Sequence, residues 1–106
     1  MQPRSVWKLT EVAHLNGDRL LVLQGELDIA TAPELVAKLQ QLHAHRHSVV
    51  LDLEGVTFMD STGLTTLMDA FRDAQRDGQD FSVRAVSAPV RRVIELAGVE
   101  GLLVTP

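Results

Sequence analysis

Polar and apolar positions alternate from Val6 to Val12, with Trp7 and Leu9 set against Lys8 and Thr10, which predicts a partly exposed strand. Asn16-Gly17 predicts a turn, because both residues tolerate positive φ. Leu20-Leu21-Val22-Leu23 predicts a second strand antiparallel to the first, closed by Gly25. Thr31 followed three residues later by Glu34, with Pro33 between them, reads as a capping box. Leu35, Val36, Leu39 and Leu42 then recur at helical spacing to about His45. Val49-Val50-Leu51-Asp52-Leu53 is nearly all apolar, as a central strand covered on both faces should be, and Glu54 to Asp60 is expected to be a loop. A second helix carries Leu64, Leu67, Met68, Phe71 and Ala74 as its stripe and stops at Asp77-Gly78. Phe81-Ser82-Val83-Arg84-Ala85 predicts a further strand. Ser87 and Pro89 open a third helix carrying Val90, Val93, Ile94 and Ala97, ended by Gly98, and Gly101-Leu102-Leu103-Val104 predicts a last short strand.

This order predicts an α/β fold: a mixed β-sheet, antiparallel in its first hairpin and parallel in its later strands, packed against amphipathic helices. The 106 residues suit one domain, 1–106, and 45% hydrophobic content is enough for a continuous core. A net charge of -4 repels phosphate backbones, so no direct nucleic-acid binding is expected. The absence of cysteine excludes disulfides, thiolate zinc sites and a cysteine nucleophile, and fits a cytoplasmic location. No apolar run approaches the ~20 residues of a membrane span, and Met1-Gln2-Pro3-Arg4 does not open a signal peptide. The expectation is a soluble, unprocessed chain with no membrane association.

The segment with most chemical content is Asp60-Ser61-Thr62-Gly63-Leu64, where the chain passes into a helix. A helix start presents unpaired N–H groups and a partial positive charge, so a phosphate on Ser61 would be tolerated there. Gly63 lets another backbone or a nucleotide approach closely. Position alone leaves two readings of Ser61 open, an N-cap hydroxyl or a phosphate acceptor. Asp28 reads first as a turn residue before a helix. Asp52 reads as a buried hydrogen-bonding carboxylate. Arg91 and Arg92 read as solvated, and Met59, Met68 and the phenylalanines as core filler. His43 and His47 share a helical face if the helix runs on, but no carboxylate or cysteine neighbours them in sequence, so neither a metal nor another cofactor is expected.

Three segments together resemble the STAS-domain anti-sigma-factor antagonists. Gly25-Glu26-Leu27-Asp28-Ile29-Ala30-Thr31-Ala32-Pro33-Glu34-Leu35 is similar to the family's first signature, and Leu51 to Leu64, containing Phe58-Met59-Asp60-Ser61-Thr62-Gly63, to its second. Val90 to Val99 is similar to the helix and turn that follow. The resemblance covers nearly the whole chain and implies a STAS fold. It also implies a role: Ser61 is phosphorylated by a partner anti-sigma factor that is a serine kinase, the unphosphorylated chain binds that partner and frees the sigma factor, and a serine phosphatase resets the switch. Asp28, Asp60, Ser61, Thr62 and Gly63 would form the partner surface, with Thr62 where many relatives carry a second serine. Relatives usually continue into a further helix where this chain has Val104-Thr105-Pro106, which bears on stability and oligomeric state rather than on the switch.

Two rival functions are distinguishable. A nucleophilic Ser61 would need a placed base and oxyanion donors, and neither a Gly-x-Ser-x-Gly elbow nor a histidine positioned by a motif is present, so no enzymatic activity is expected. A STAS module can also serve as a subunit of a lipid-transport ABC complex. The phosphorylatable signature favours the regulator.

Overall fold

The computed structural model describes residues 7–13 and 17–99. Their elements are β1 (Lys8–Ala13), β2 (Arg19–Leu27), α1 (Ala32–Ala44), β3 (Val49–Met59), α2 (Ser61–Arg76), β4 (Phe81–Val86) and α3 (Ala88–Ala97). The four strands form one sheet in the order β1-β2-β3-β4. β1 pairs antiparallel with β2, while β2–β3 and β3–β4 are parallel. The mixed sheet expected from the sequence is therefore the sheet observed. Parallel neighbours require a crossover, and the two apolar-striped segments between them supply it as α1 and α2.

Alternation sets which side chains enter the core. Leu21, Leu23 and Leu27 of β2, Leu51 and Leu53 of β3 and Val83 of β4 are fully buried, and they meet Leu35 of α1 and Leu67 of α2. Burying each leucine contributes roughly 2 kcal/mol, so this layer supplies most of the driving force. Helix ends follow local chemistry. Asp60 caps α2, Ser87 caps α3 through the Val90 N–H, and Gly98 ends α3 in the left-handed region.

Two strands run further than the sequence pattern indicates. β2 passes through Gly25 to Leu27, and β3 passes through the expected loop to Met59. Gly25 bends its strand, with φ 96 and a register shift beside it, rather than ending it. The upper half of β3 pairs with β2 alone, from Gln24↔Gly55 to Leu27↔Met59, because β4 stops at the Leu53↔Val86 pair. One-sided pairing leaves Thr57 and Phe58 exposed, and that mixed polarity imitates a loop in sequence. The expected turn at Asn16-Gly17 and strand at Gly101–Val104 fall wholly or partly outside the described residues. No helix among the described residues is long and apolar enough to cross a membrane.

At the ends of α1 and α2, the His43 ring lies 2.7 Å from the Asp77 carboxylate, which also accepts from Arg76. The Arg76 guanidinium and then His43 hold the Asp77 carboxyl at about 2, below the usual carboxylate range. A carboxyl depressed in the folded state stabilises the fold only while ionised, so its contribution is complete above about pH 4 and is lost as pH falls towards 2. We expect the unfolding temperature of the wild type to decline across that window and Asp77→Asn to flatten the decline, as read from circular-dichroism melts. An identical slope in the variant would exclude this pair as its source.

Candidate functional site

The site is built where β2 and β3 end side by side. Leu27 and Met59 are the last paired residues, and the Asp60 N–H donates to the Leu27 carbonyl at 3.3 Å. The two strands thus release Asp28 and Asp60 next to each other, although they are distant in sequence. Each aspartate then organises its own turn.

Asp28 Oδ1 accepts from the Ala30 N–H at 3.0 Å and the Thr31 N–H at 3.2 Å, and the Ala32 N–H donates to the Asp28 carbonyl at 2.8 Å. The chain is therefore already turning before α1 begins. The Thr31 hydroxyl donates back to the Glu26 carbonyl at 2.7 Å and accepts from the Asp28 N–H at 3.0 Å. Thr31 consequently has helical backbone angles and makes no side-chain cap bond, so the capping box expected with Glu34 does not form. Asp28 holds the turn that precedes α1, its carboxylate taking the Ala30 and Thr31 N–H groups.

Asp60 has extended backbone angles, and its carboxylate accepts from the Gly63 N–H at 2.9 Å. A cap of this kind contributes about 1 kcal/mol. It also overturns the cap reading of Ser61: Asp60 holds the cap, and Ser61 is the first helical residue, exposed, with its hydroxyl bonded to no described residue. The N–H groups of Ser61 and Thr62 lie at the helix start, where no carbonyl one turn back within the helix can meet them. Thr62 is half-buried, its carbonyl accepting from the Thr66 hydroxyl at 3.0 Å.

Gly63 fixes the depth at which α2 sits on the strands. A Cβ there would come within 2.8 Å of the Leu27 carbonyl oxygen and of Met59 Cγ, and 2.9 Å of Leu27 Cγ. Only a residue without a side chain lets the helix start rest on the end of β2. The close approach expected from Asp-Ser-Thr-Gly is thus made by the protein's own backbone. Asp28, Asp60, Ser61, Thr62 and Gly63 all lie at this one edge.

Other candidates lie elsewhere. His43 and His45 sit at the C-terminal end of α1, about 20 Å along a thirteen-residue helix from its start, so neither reaches Ser61. His43 has a carboxylate neighbour that sequence spacing did not reveal, Asp77 from α2. No group of three His, Asp or Glu side chains among the described residues is placed to hold a metal ion. Asp52 is half-buried, accepting from the Glu54 N–H at 3.0 Å and lying 3.8 Å from Arg84. Arg91 and Arg92 are exposed, as expected for solvated side chains. Met59 and Phe81 belong to the core, but Phe58, read as core filler, is 48% exposed.

Comparison with known proteins gives concordant results. A protein-family model described as Mlab, STAS domain, matches residues 11–105. The anti-sigma-B factor antagonist of Staphylococcus aureus is 30% identical over 80 residues, which is 74% of this chain and 74% of that protein. The crystal structure of an anti-sigma factor antagonist from Mycobacterium paratuberculosis aligns with a TM-score of 0.85 at 26% identity, covering 100% of this chain and 91% of that one. The Bacillus cell fate determinant SpoIIAA in its phosphorylated form aligns with a TM-score of 0.71 at 19% identity, over 95% and 92% of the two chains. At that identity the last likeness speaks for the fold alone.

Proposed function

The chain belongs to the STAS-domain family, and on that premise we propose that it is an anti-sigma-factor antagonist switched by phosphorylation of Ser61. The observation that carries the reading is Ser61 itself: exposed, the first residue of α2, with its hydroxyl bonded to no described residue. A serine engaged as a cap would have to break that bond to react. Here Asp60 has taken the cap, so Ser61 is available without disturbing the helix.

In the proposed cycle the unphosphorylated chain docks its Asp28–Gly63 edge on a serine-kinase anti-sigma factor and frees the sigma factor. The Ser61 oxygen attacks the γ-phosphorus of ATP bound to that kinase, its proton leaves, and ADP departs. The new phosphate carries about -1.5 to -2 charges at pH 7. The open N–H groups and the helix dipole accommodate this charge within the chain. A serine phosphatase hydrolyses the ester and restores the hydroxyl. The chain itself supplies a substrate side chain and a docking surface, not a catalyst, and acts in the cytoplasm.

Purified chain is to be mixed with ATP and candidate anti-sigma kinases, and the phosphate mapped by mass spectrometry. One phosphate on Ser61, absent in Ser61→Ala, is expected. Phosphate on another residue, or none with any such kinase, would sink the reading. A stable complex with an ATP-binding transporter subunit and no phosphate transfer would favour the lipid-transport alternative instead.

A further inference from the structure

Four large apolar side chains among the described residues stand exposed, and two of them flank the start of α2: Ile29 at 74% and Phe58 at 48%. Ile29 follows Asp28 and lines a shallow groove between α1 and α2 together with Thr62, Ala32 and Thr66. Phe58 lies three residues before Ser61, in register with Glu26 of the neighbouring strand. A single exposed apolar side chain is ordinary, but two on the segments that lead into one helix start point to a contact surface.

Several carboxylates on the elements that build this edge lack a cationic partner among the described residues, as Asp80 and Glu95 do elsewhere. Glu11, Asp52, Asp69, Asp73 and Asp77 each have an Arg, Lys or His partner within 4.0 Å. Glu26, Glu34 and Glu54 have none among the described residues, and all three are exposed. The stretches 20–37 and 47–71, which build this edge, contain no lysine or arginine at all. The edge therefore combines two exposed apolar side chains with three glutamates that no cation among the described residues neutralises.

We propose that Ile29 and Phe58 are the anchors of the docking surface, and that the partner presents an apolar recess rimmed by arginine or lysine. This rests on the reading that the Ser61 edge is the docking face, and adds the chemistry of what docks there. Burial of the two anchors supplies affinity, while the unneutralised carboxylates steer encounter and make association salt-dependent. Both anchors are on the surface, so truncating them leaves the core intact.

The test is titration calorimetry and stopped-flow association of the full chain with a purified serine-kinase anti-sigma factor from the same organism, at low and high salt. Ile29→Ala and Phe58→Ala are each expected to bind roughly tenfold more weakly with unchanged melting temperatures. Glu26→Gln combined with Glu34→Gln is expected to slow association at low salt and to match wild type at high salt. Wild-type affinity in both alanine variants overturns the anchors while leaving the phospho-switch standing. If the wild type does not bind the kinase, the switch reading fails, and the same variants are titrated against an ATP-binding transporter subunit. A tenfold loss there keeps the surface; no loss, or no binding, overturns it.

Discussion

Gly63→Ala is expected to lower the unfolding temperature by roughly 10–20 °C, corresponding to a loss of about 3 kcal/mol. Glycine to alanine inside a helix ordinarily stabilises by up to about 1 kcal/mol, so the expected sign is opposite to the helical rule. The reason is the 2.8 Å separation between the added Cβ and the Leu27 carbonyl oxygen. That oxygen is backbone, held in place by the Asp60 N–H, and cannot swing aside as a side-chain tip can. Met59 Cγ, also 2.8 Å away, and Leu27 Cγ are buried, so they have no room to retreat. The helix start would have to lift from the strand ends, exposing core and shifting Ser61. Melts followed by far-ultraviolet circular dichroism decide the matter, with Thr65→Ala on the exposed face of α2 as a control that should not lose stability. A Gly63→Ala melt indistinguishable from wild type would mean that the helix does not depend on this close approach.

Ser61→Asp is expected to weaken binding to the anti-sigma kinase about a hundredfold, with Ser61→Ala close to wild type and both folded. Alone in water, the added carboxylate is solvated and meets the open N–H groups at the start of α2. In the complex it would be covered beside Asp60 and Asp28. Two unit charges ~6 Å apart repel by about 3 kcal/mol at an effective dielectric near 20, and the covered interface removes the water that screens them. About 3 kcal/mol is roughly a hundredfold in Kd. The fold is not at risk, because Ser61 is exposed and Asp60 keeps the cap. Calorimetric titration of the three proteins reads the outcome. Tight binding by Ser61→Asp together with loss in Ser61→Ala would give the switch the opposite sign.

The two experiments separate roles that adjacent residues could be thought to share. Gly63 acts through stability, since its environment is backbone and core. In the proposed switch Ser61 acts through charge, since it is exposed and its hydroxyl is bonded to no described residue. Asp60 stands between them, holding the helix start in place while leaving the neighbouring hydroxyl free.

Much of this edge is legible in the sequence. The mixed sheet follows from two strands joined by a turn signal and then strand–helix–strand alternation. Asp60-Ser61-Thr62-Gly63 ahead of an apolar stripe marks a helix start, though not which residue caps it. What misled the pattern was local ambiguity. Gly25 signals an end but only bends β2, and Thr57 and Phe58 look like loop because half of β3 lacks a β4 neighbour. Thr31-x-x-Glu34 has the spacing of a capping box, yet Asp28 starts the turn earlier and draws the Thr31 hydroxyl backwards. A motif read along the chain cannot show that a nearer competitor has taken its hydrogen bonds.

The sequence by itself determined the order of the described elements and the inward stripes of α1 and α2, because periodicity acts over a few residues. Only the tertiary structure decided that Asp28 and Asp60 emerge together, that Gly63 rests on Leu27, that His43 finds Asp77 and that Phe58 faces solvent. Those facts depend on how far each strand pairs and on which chain segment lies alongside, and pairing across the sheet is set by residues far apart along the chain.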